Sequence, residues 1–188
     1  KQQKEKVESL SSRTMIRKKL YQYKTGELSL QEVQDYTQGK YADGASVLEN
    51  LLNAYRISNR RIIASSESNT QEIKIQNYYN LKSEKTKLKI LADEKIGIIS
   101  SPIYEKDLLL GYDIVSLDLS SLLSYFNQGD INYELVPATT NKIEEDQDMV
   151  KAFRKIADTD YSLKAEISKK DLYQTLNNYS FLLLVTTT

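Results

Sequence analysis

Any chemistry in this chain must come from carboxylates, hydroxyls and amines. Its 188 residues include no histidine and no cysteine. That removes the usual general base, the commonest metal ligand, cysteine nucleophiles and disulfides together. No Gly-rich phosphate loop and no nucleophile elbow is present, so no catalytic residue, metal or cofactor is expected. The acidic cluster Glu144-Glu145-Asp146-Asp148 lacks EF-hand spacing and its glycine, and reads as a solvated loop. Tyrosine is what the chain has in quantity, 14 against three phenylalanines. An apolar body with a donor tip suits a polar-ligand pocket and a half-buried sheet equally well. Among the carboxylates Asp118 directly precedes the apolar segment 119–126, where it can cap a helix.

The elements that must position these groups follow from periodicity. Residues 1–24 carry Val7, Leu10, Thr14, Arg17 and Tyr21 at helical spacing without Pro or Gly, which predicts one long, weakly amphipathic helix. Ser29-x-x-Glu32 is a capping box that starts a second helix over roughly 30–52. Beyond residue 53 the period shortens to about 2, or to short apolar runs. Strands are expected at 54–57 and 61–65, joined by Ser58-Asn59-Arg60, and a weaker one at 87–91. The clearest hairpin joins 96–104 to 108–118 through Glu105-Lys106-Asp107. A short helix over 119–126 follows, then strands at 131–136, 150–156 and 161–167, with 137–148 a polar connection. Ser168 caps a last helix running to about 185. The fold class is α+β: N-terminal helices, an antiparallel sheet of about five strands with one inserted helix, and a helix at the exit.

Length fits one domain with helical extensions, read as 1–52 (helical segment), 53–167 (the sheet-containing domain) and 168–188 (exit helix). Lys+Arg and Asp+Glu are both 26, so no net field steers the chain onto nucleic acid. The terminal run Phe181–Val185 reads as a buried final element or as the first turns of a membrane helix.

The stretch Ile98–Phe126 resembles the Cache (PDC) family of PAS-like extracytoplasmic sensor domains. The matching positions are Ser100, Ser101, Pro102, Ile103 and Tyr104, then Gly111, Ile114, Val115, Asp118 and Leu119. Tyr55–Ile57 with Arg61–Ser66 resembles the family's first hairpin, and Asp160–Leu176 its last strand and exit helix. The chain departs from the family in having no Trp, and residues 66–95 match nothing in the pattern. The resemblance implies an input domain held between two transmembrane helices on the extracytoplasmic side, most often of a sensor histidine kinase, with a chemoreceptor, a diguanylate cyclase or a free binding or adhesion domain as alternatives. It implies a homodimer, and an unknown small ligand of the amino acid, carboxylate or amine class.

It further implies that an Asp at position 118 can hold the amine of a ligand, which stands beside the capping role. Strand alternation puts Tyr112, Ile114 and Ser116 on the face of Asp118, with Asp113, Val115 and Leu117 opposite. Ser100 and Tyr104 on the preceding strand can meet the same cavity. Tyr78 and Tyr79, in the long excursion between strands, are the candidate lid residues.

Overall fold

The computed structural model describes residues 2–66, 84–127 and 130–174. Tyr78, Tyr79 and the Phe181–Val185 run lie outside them. The chain divides into two compact units, Lys1–Leu119 and Ser120–Thr188. Among the described residues no helix is long and apolar enough to cross a membrane.

The first unit opens with three helices, α1 (Gln2–Ser11), α2 (Thr14–Lys24) and α3 (Leu30–Ala45). The single helix expected over 1–24 is therefore interrupted at Ser12-Arg13. Ser11 Oγ donates back to the Val7 carbonyl at 3.1 Å and Ser12 Oγ to that of Ser9 at 3.0 Å, bonds that compete with helix continuation. Arg13 then turns extended, with ψ 112°, and its guanidinium donates to the Lys40 carbonyl of α3 at 3.0 Å. Gly44 leaves the room for it, since a Cβ there would lie 2.7 Å from Nη1. One extended residue resets the helical phase. As a result α2 buries Ile16 and Leu20 instead of Thr14, Arg17 and Tyr21, and Arg17 pairs with Glu105 at 2.7 Å.

The capping box forms as expected: the Ser29 backbone N–H donates to Glu32 Oε2 at 2.8 Å and the Glu32 N–H to Ser29 Oγ at 3.3 Å. The Ser29 backbone N–H first, and then the Ser29 hydroxyl, which lies 2.7 Å from the same Oε2, favour the charged carboxylate, so its pKa lies below the ordinary value. The second helix ends at Ala45 and not at 52, because Leu51 and Asn53 are already paired to the central strand of the sheet.

That sheet has the order β2-β1-β5-β4-β3, built from β1 (Leu51–Ser58), β2 (Arg61–Ser65), β3 (Lys87–Leu91), β4 (Ile96–Glu105) and β5 (Leu108–Asp118). All its pairings are antiparallel, and the arrangement is α+β and PAS-like. Asn59 and Arg60 both take positive φ, 47° and 62°, the backbone that a two-residue hairpin needs. Gly111 has no substitute, because a Cβ on it would meet the Ile57 carbonyl oxygen at 2.1 Å. β3 begins at Lys87, opposite Ser100, so among the described residues Pro102 lies on a stretch of β4 that pairs with β5 alone, where a strand tolerates a residue with no N–H.

The two faces of the sheet differ. On one, Val7, Leu10, Tyr41 and Ala45 pack on Ala54, Ile99, Val115 and Leu117, while Leu20 and Val33 pack on Ile63, Ile103 and Leu110. The other carries a cluster made of strand residues, Tyr55, Ile57, Ile98 and Ile114.

Within the helix-facing core lies an ion pair. Arg56 is 1% exposed and Asp113 0%. Nε donates to Oδ1 at 2.8 Å and Nη2 to Oδ2 at 2.6 Å. Ser11 Oγ donates to Oδ2 at 2.8 Å, Arg56 Nη2 also donates to the Leu10 carbonyl at 3.0 Å, and the guanidinium stands 5.0 Å from the Tyr41 ring centre. Burial opposes the guanidinium charge, yet Asp113's charge and hydrogen bonds carry its pKa above the ordinary value. The Tyr41 phenol is pushed well up, by burial first and then by the Asp113 charge.

The second unit holds α4 (Ser120–Phe126) and a sheet of order β6-β9-β8-β7, from β6 (Asn132–Pro137), β7 (Lys142–Glu145), β8 (Met149–Lys155) and β9 (Tyr161–Ser168). The polar connection expected at 137–148 thus contains an edge strand, and Glu144 and Glu145 of the supposed acidic loop belong to it. Its four residues are all exposed, so no apolar alternation marked it. Asp146 makes the turn into β8, accepting from the Asp148 and Met149 N–H groups at 3.0 and 2.8 Å. Residues 169–174 are helical, and the Asp171 N–H donates to Ser168 Oγ at 3.0 Å as the expected cap.

Removing one member of the buried pair strands the other. Arg56→Ala should cost about 3–5 kcal/mol in urea unfolding, whereas Arg56→Met with Asp113→Leu should be neutral or stabilising by up to about 4 kcal/mol. Glu32 gives a pH signature. A depressed folded pKa contributes stability above the ordinary value of 4.5 and loses it as pH falls through the folded value. The wild-type minus Glu32→Gln difference in urea midpoint should therefore be present at neutral pH and vanish on acidification below 4.5.

Candidate functional site

The face away from the helices carries the residues singled out on β4 and β5. Pairing places Tyr112 opposite Pro102, Ile114 opposite Ser100, Ser116 opposite Ile98 and Asp118 opposite Ile96. Tyr55 and Asn53 of β1 stand opposite Ile114 and Ser116. Directly opposed residues share a face, so Tyr112, Ser116, Asp118 and Ser100 point the same way. Ser100 and Ser116 are deeply buried there, 2% and 6% exposed, and Ser116 Oγ donates to the Asn53 carbonyl at 3.3 Å. Tyr112 is half-buried. Its phenol pKa is raised, by burial first and then by Tyr104 and the Glu84 carboxylate. Tyr104 follows a bulge in the β4–β5 register and also lines a cavity of about 450 Å³ with Ser12, Arg17, Thr86 and Ser101.

Asp118 is the last residue of β5, and its N–H donates to the Asn50 carbonyl at 2.8 Å. Because α4 begins at Ser120, Leu119 occupies the position flanking the helix.

The face also holds two cations that the sequence reading passed over. Lys87 stands opposite Ser100 and Lys89 opposite Ile98, both exposed at the sheet edge. Strand alternation on β3 was the signal for them.

These groups do not form one cluster. Tyr112 and Asp118 lie six residues apart on one strand, about 20 Å, with Ile114, Ile98 and Tyr55 between them. One group, at the Tyr104–Tyr112 end, offers phenols with Ser100 and Lys87 nearby. The other, at the Ser116–Asp118 end, offers a carboxylate, a hydroxyl and, two strands away, the Lys89 ammonium. Opposite charges across a partly apolar floor suit a small zwitterion. Among the described residues no group of three or more Asp or Glu is placed to hold a metal ion.

No family model and no curated protein matches the sequence. Solved structures do match. The sensor domain of the V. cholerae histidine kinase DctB superposes with TM-score 0.56 at 10% identity, over 87% of this chain and 87% of that one. The extracellular domain of vpHK1S-Z8, described as a histidine kinase, gives 0.51 at 12% identity over 90% and 84%. A domain of a sensory box/GGDEF family protein from Vibrio parahaemolyticus gives 0.50 at 13% over 85% and 84%. The chain has the Cache-type sensor fold. The likeness is one of fold, and it covers more of the chain than the 119 residues of the first unit.

The distance along β5 makes a prediction about this face. An amino-acid-sized ligand that loses affinity on Asp118→Asn, by the roughly 1.5–3 kcal/mol of a charge-assisted bond, should be indifferent to Tyr112→Phe, and the converse. Isothermal titration of one ligand against both variants reads this directly. Equal losses in both would require a ligand long enough to span the strand.

Proposed function

We propose that this chain is the extracytoplasmic input domain of a transmembrane receptor, with a sensor histidine kinase as the effector, and that it binds a small amino acid, carboxylate or amine. The observation that carries this reading is the sheet face opposite the helices, where buried hydroxyls and apolar side chains lie between Asp118 at one end and Tyr112 at the other. The shared fold with the DctB sensor domain supports it. Asp118 takes the ligand's amine, Ser116 supplies a hydroxyl beside it and Lys89 receives a carboxylate. Lining residues from the first unit suffice for this contact set.

In the intact receptor the chain is anchored at both ends by membrane helices and works as a homodimer joined along its N-terminal helices. A two-fold axis along those helices brings both copies to the same membrane face. Kinase activity belongs to the cytoplasmic part, and this chain contributes binding only.

A thermal-shift screen of the purified domain against proteinogenic amino acids, short carboxylates and small amines tests the reading. A true ligand at a hundredfold excess over Kd adds about 2.7 kcal/mol, which at about 2–4 °C per kcal/mol is well above measurement scatter. Hits should lose most of their shift in Asp118→Asn, and Lys89→Gln should weaken those that bear a carboxylate. A panel with no hit would overturn the sensing role for this ligand class.

A further inference from the structure

The candidate ligand face and α1 lie on opposite sides of one sheet, and the Arg56–Asp113 pair stands between them. Arg56 and Asp113 are direct cross-strand partners. Their chain neighbours Tyr55, Ile57, Tyr112 and Ile114 all belong to the cluster on the ligand face or pack against it. The pair is thus the reverse side of the Tyr112–Ile114 end of that face, and β5 joins it without a break to the Ser116–Asp118 end where the ligand is placed. We propose that Arg56 and Asp113 are a positioning couple that carries a displacement of the ligand face to the last turn of α1. This rests on the sensing role proposed above.

Three properties make the pair suited to that work. Neighbouring residues on a strand share one rigid backbone, so a shift of β5 under Tyr112 or Ile114 moves the Asp113 carboxylate with it. The contact has no slack. Both partners are fully buried and joined by two parallel bonds, and a pair pulled apart there has no water to replace the lost partner. Finally, both members hold α1 directly. Ser11 Oγ donates to Asp113 Oδ2, and Arg56 Nη2 donates to the Leu10 carbonyl, one of the end-of-helix acceptors with no partner inside the helix. The apolar contacts of Val7 and Leu10 are non-directional and permit sliding. The polar bonds fix one position. A well-packed apolar pair would hold the fold as firmly, so stability alone does not account for two charges at this place.

Hydrogen exchange of the α1 amides around Leu10–Ser12 in the 188-residue domain tests the couple, with Arg56→Met/Asp113→Leu as the variant that removes it. A cooperative urea transition establishes that this variant folds. The first arm has no ligand: Tyr112→Ala alters the ligand face alone. It should change α1 exchange by about fivefold or more in the wild-type background and by less than about twofold in the Met/Leu background. Equal changes in both backgrounds, or none in either, would sink the couple. In the second arm each hit from the panel of amino acids, carboxylates and amines is added. Its affinity should stay within about twofold in the Met/Leu variant while the α1 response disappears, a split that a merely structural pair would not produce. A persisting response overturns the proposal. Should the Met/Leu variant not fold, Ser11→Ala leaves the ion pair intact and cuts one of its links to α1, and the response to Tyr112→Ala should then fall by at least half. An unchanged response there counts against the couple. A panel with no hits defeats the sensing role but leaves the first arm to decide on the couple.

Discussion

Two charges without access to water constrain the first unit more than any apolar contact does. The Arg56–Asp113 pair tolerates one strand register, because a slip of one residue between β1 and β5 would send one of the two to the opposite face. It tolerates one placement of α1, whose Ser11 and Leu10 complete its hydrogen bonding. It also requires a flat, apolar neighbour on its third side, which Tyr41 of α3 supplies. Two helices and two strands are thereby referred to a single point. The apolar clusters around it determine how tightly these elements pack, and the pair determines which way they face.

Local signals were legible in the sequence and long-range ones were not. The β4–β5 hairpin, the Ser29–Glu32 box and the Ser168 cap each depend on residues within a few positions of one another, and each stands where the spacing put it. The interruption after α1 depends on two serine hydroxyls bonding to their own helix and on an arginine reaching α3. Nothing in a 3.6-residue pattern carries that information. β7 was missed for a different reason: an edge strand exposed throughout has no buried face to impose alternation. The division of the strands into two sheets is likewise a matter of which strands pair, and neighbours in sequence do not disclose it.

For the candidate site, alternation along β5 separated Asp113 from Asp118 correctly as to face, but a list of residues on one face has no length. Placed on the strand, Tyr112 and Asp118 belong to different ends. The lysines of β3 complete the charge pattern only because β3 pairs with β4 in a register that puts Lys87 beside Ser100 and Lys89 beside Ile98. Arg56 was visible in the sequence as part of a hairpin, and its burial could not be foreseen without the partner 57 residues away.

The short reach of β3 has a consequence for how the domain behaves in company. Past Ser100, β4 runs on through Glu105 and among the described residues pairs there with β5 alone, and a strand margin without a ladder partner is a template on which another strand can add itself. Pro102 falls in that stretch. It offers no N–H to an incoming strand, so a rung would be missing from any intermolecular ladder that tried to extend β3. That missing rung discourages open-ended strand-to-strand association between copies at high concentration.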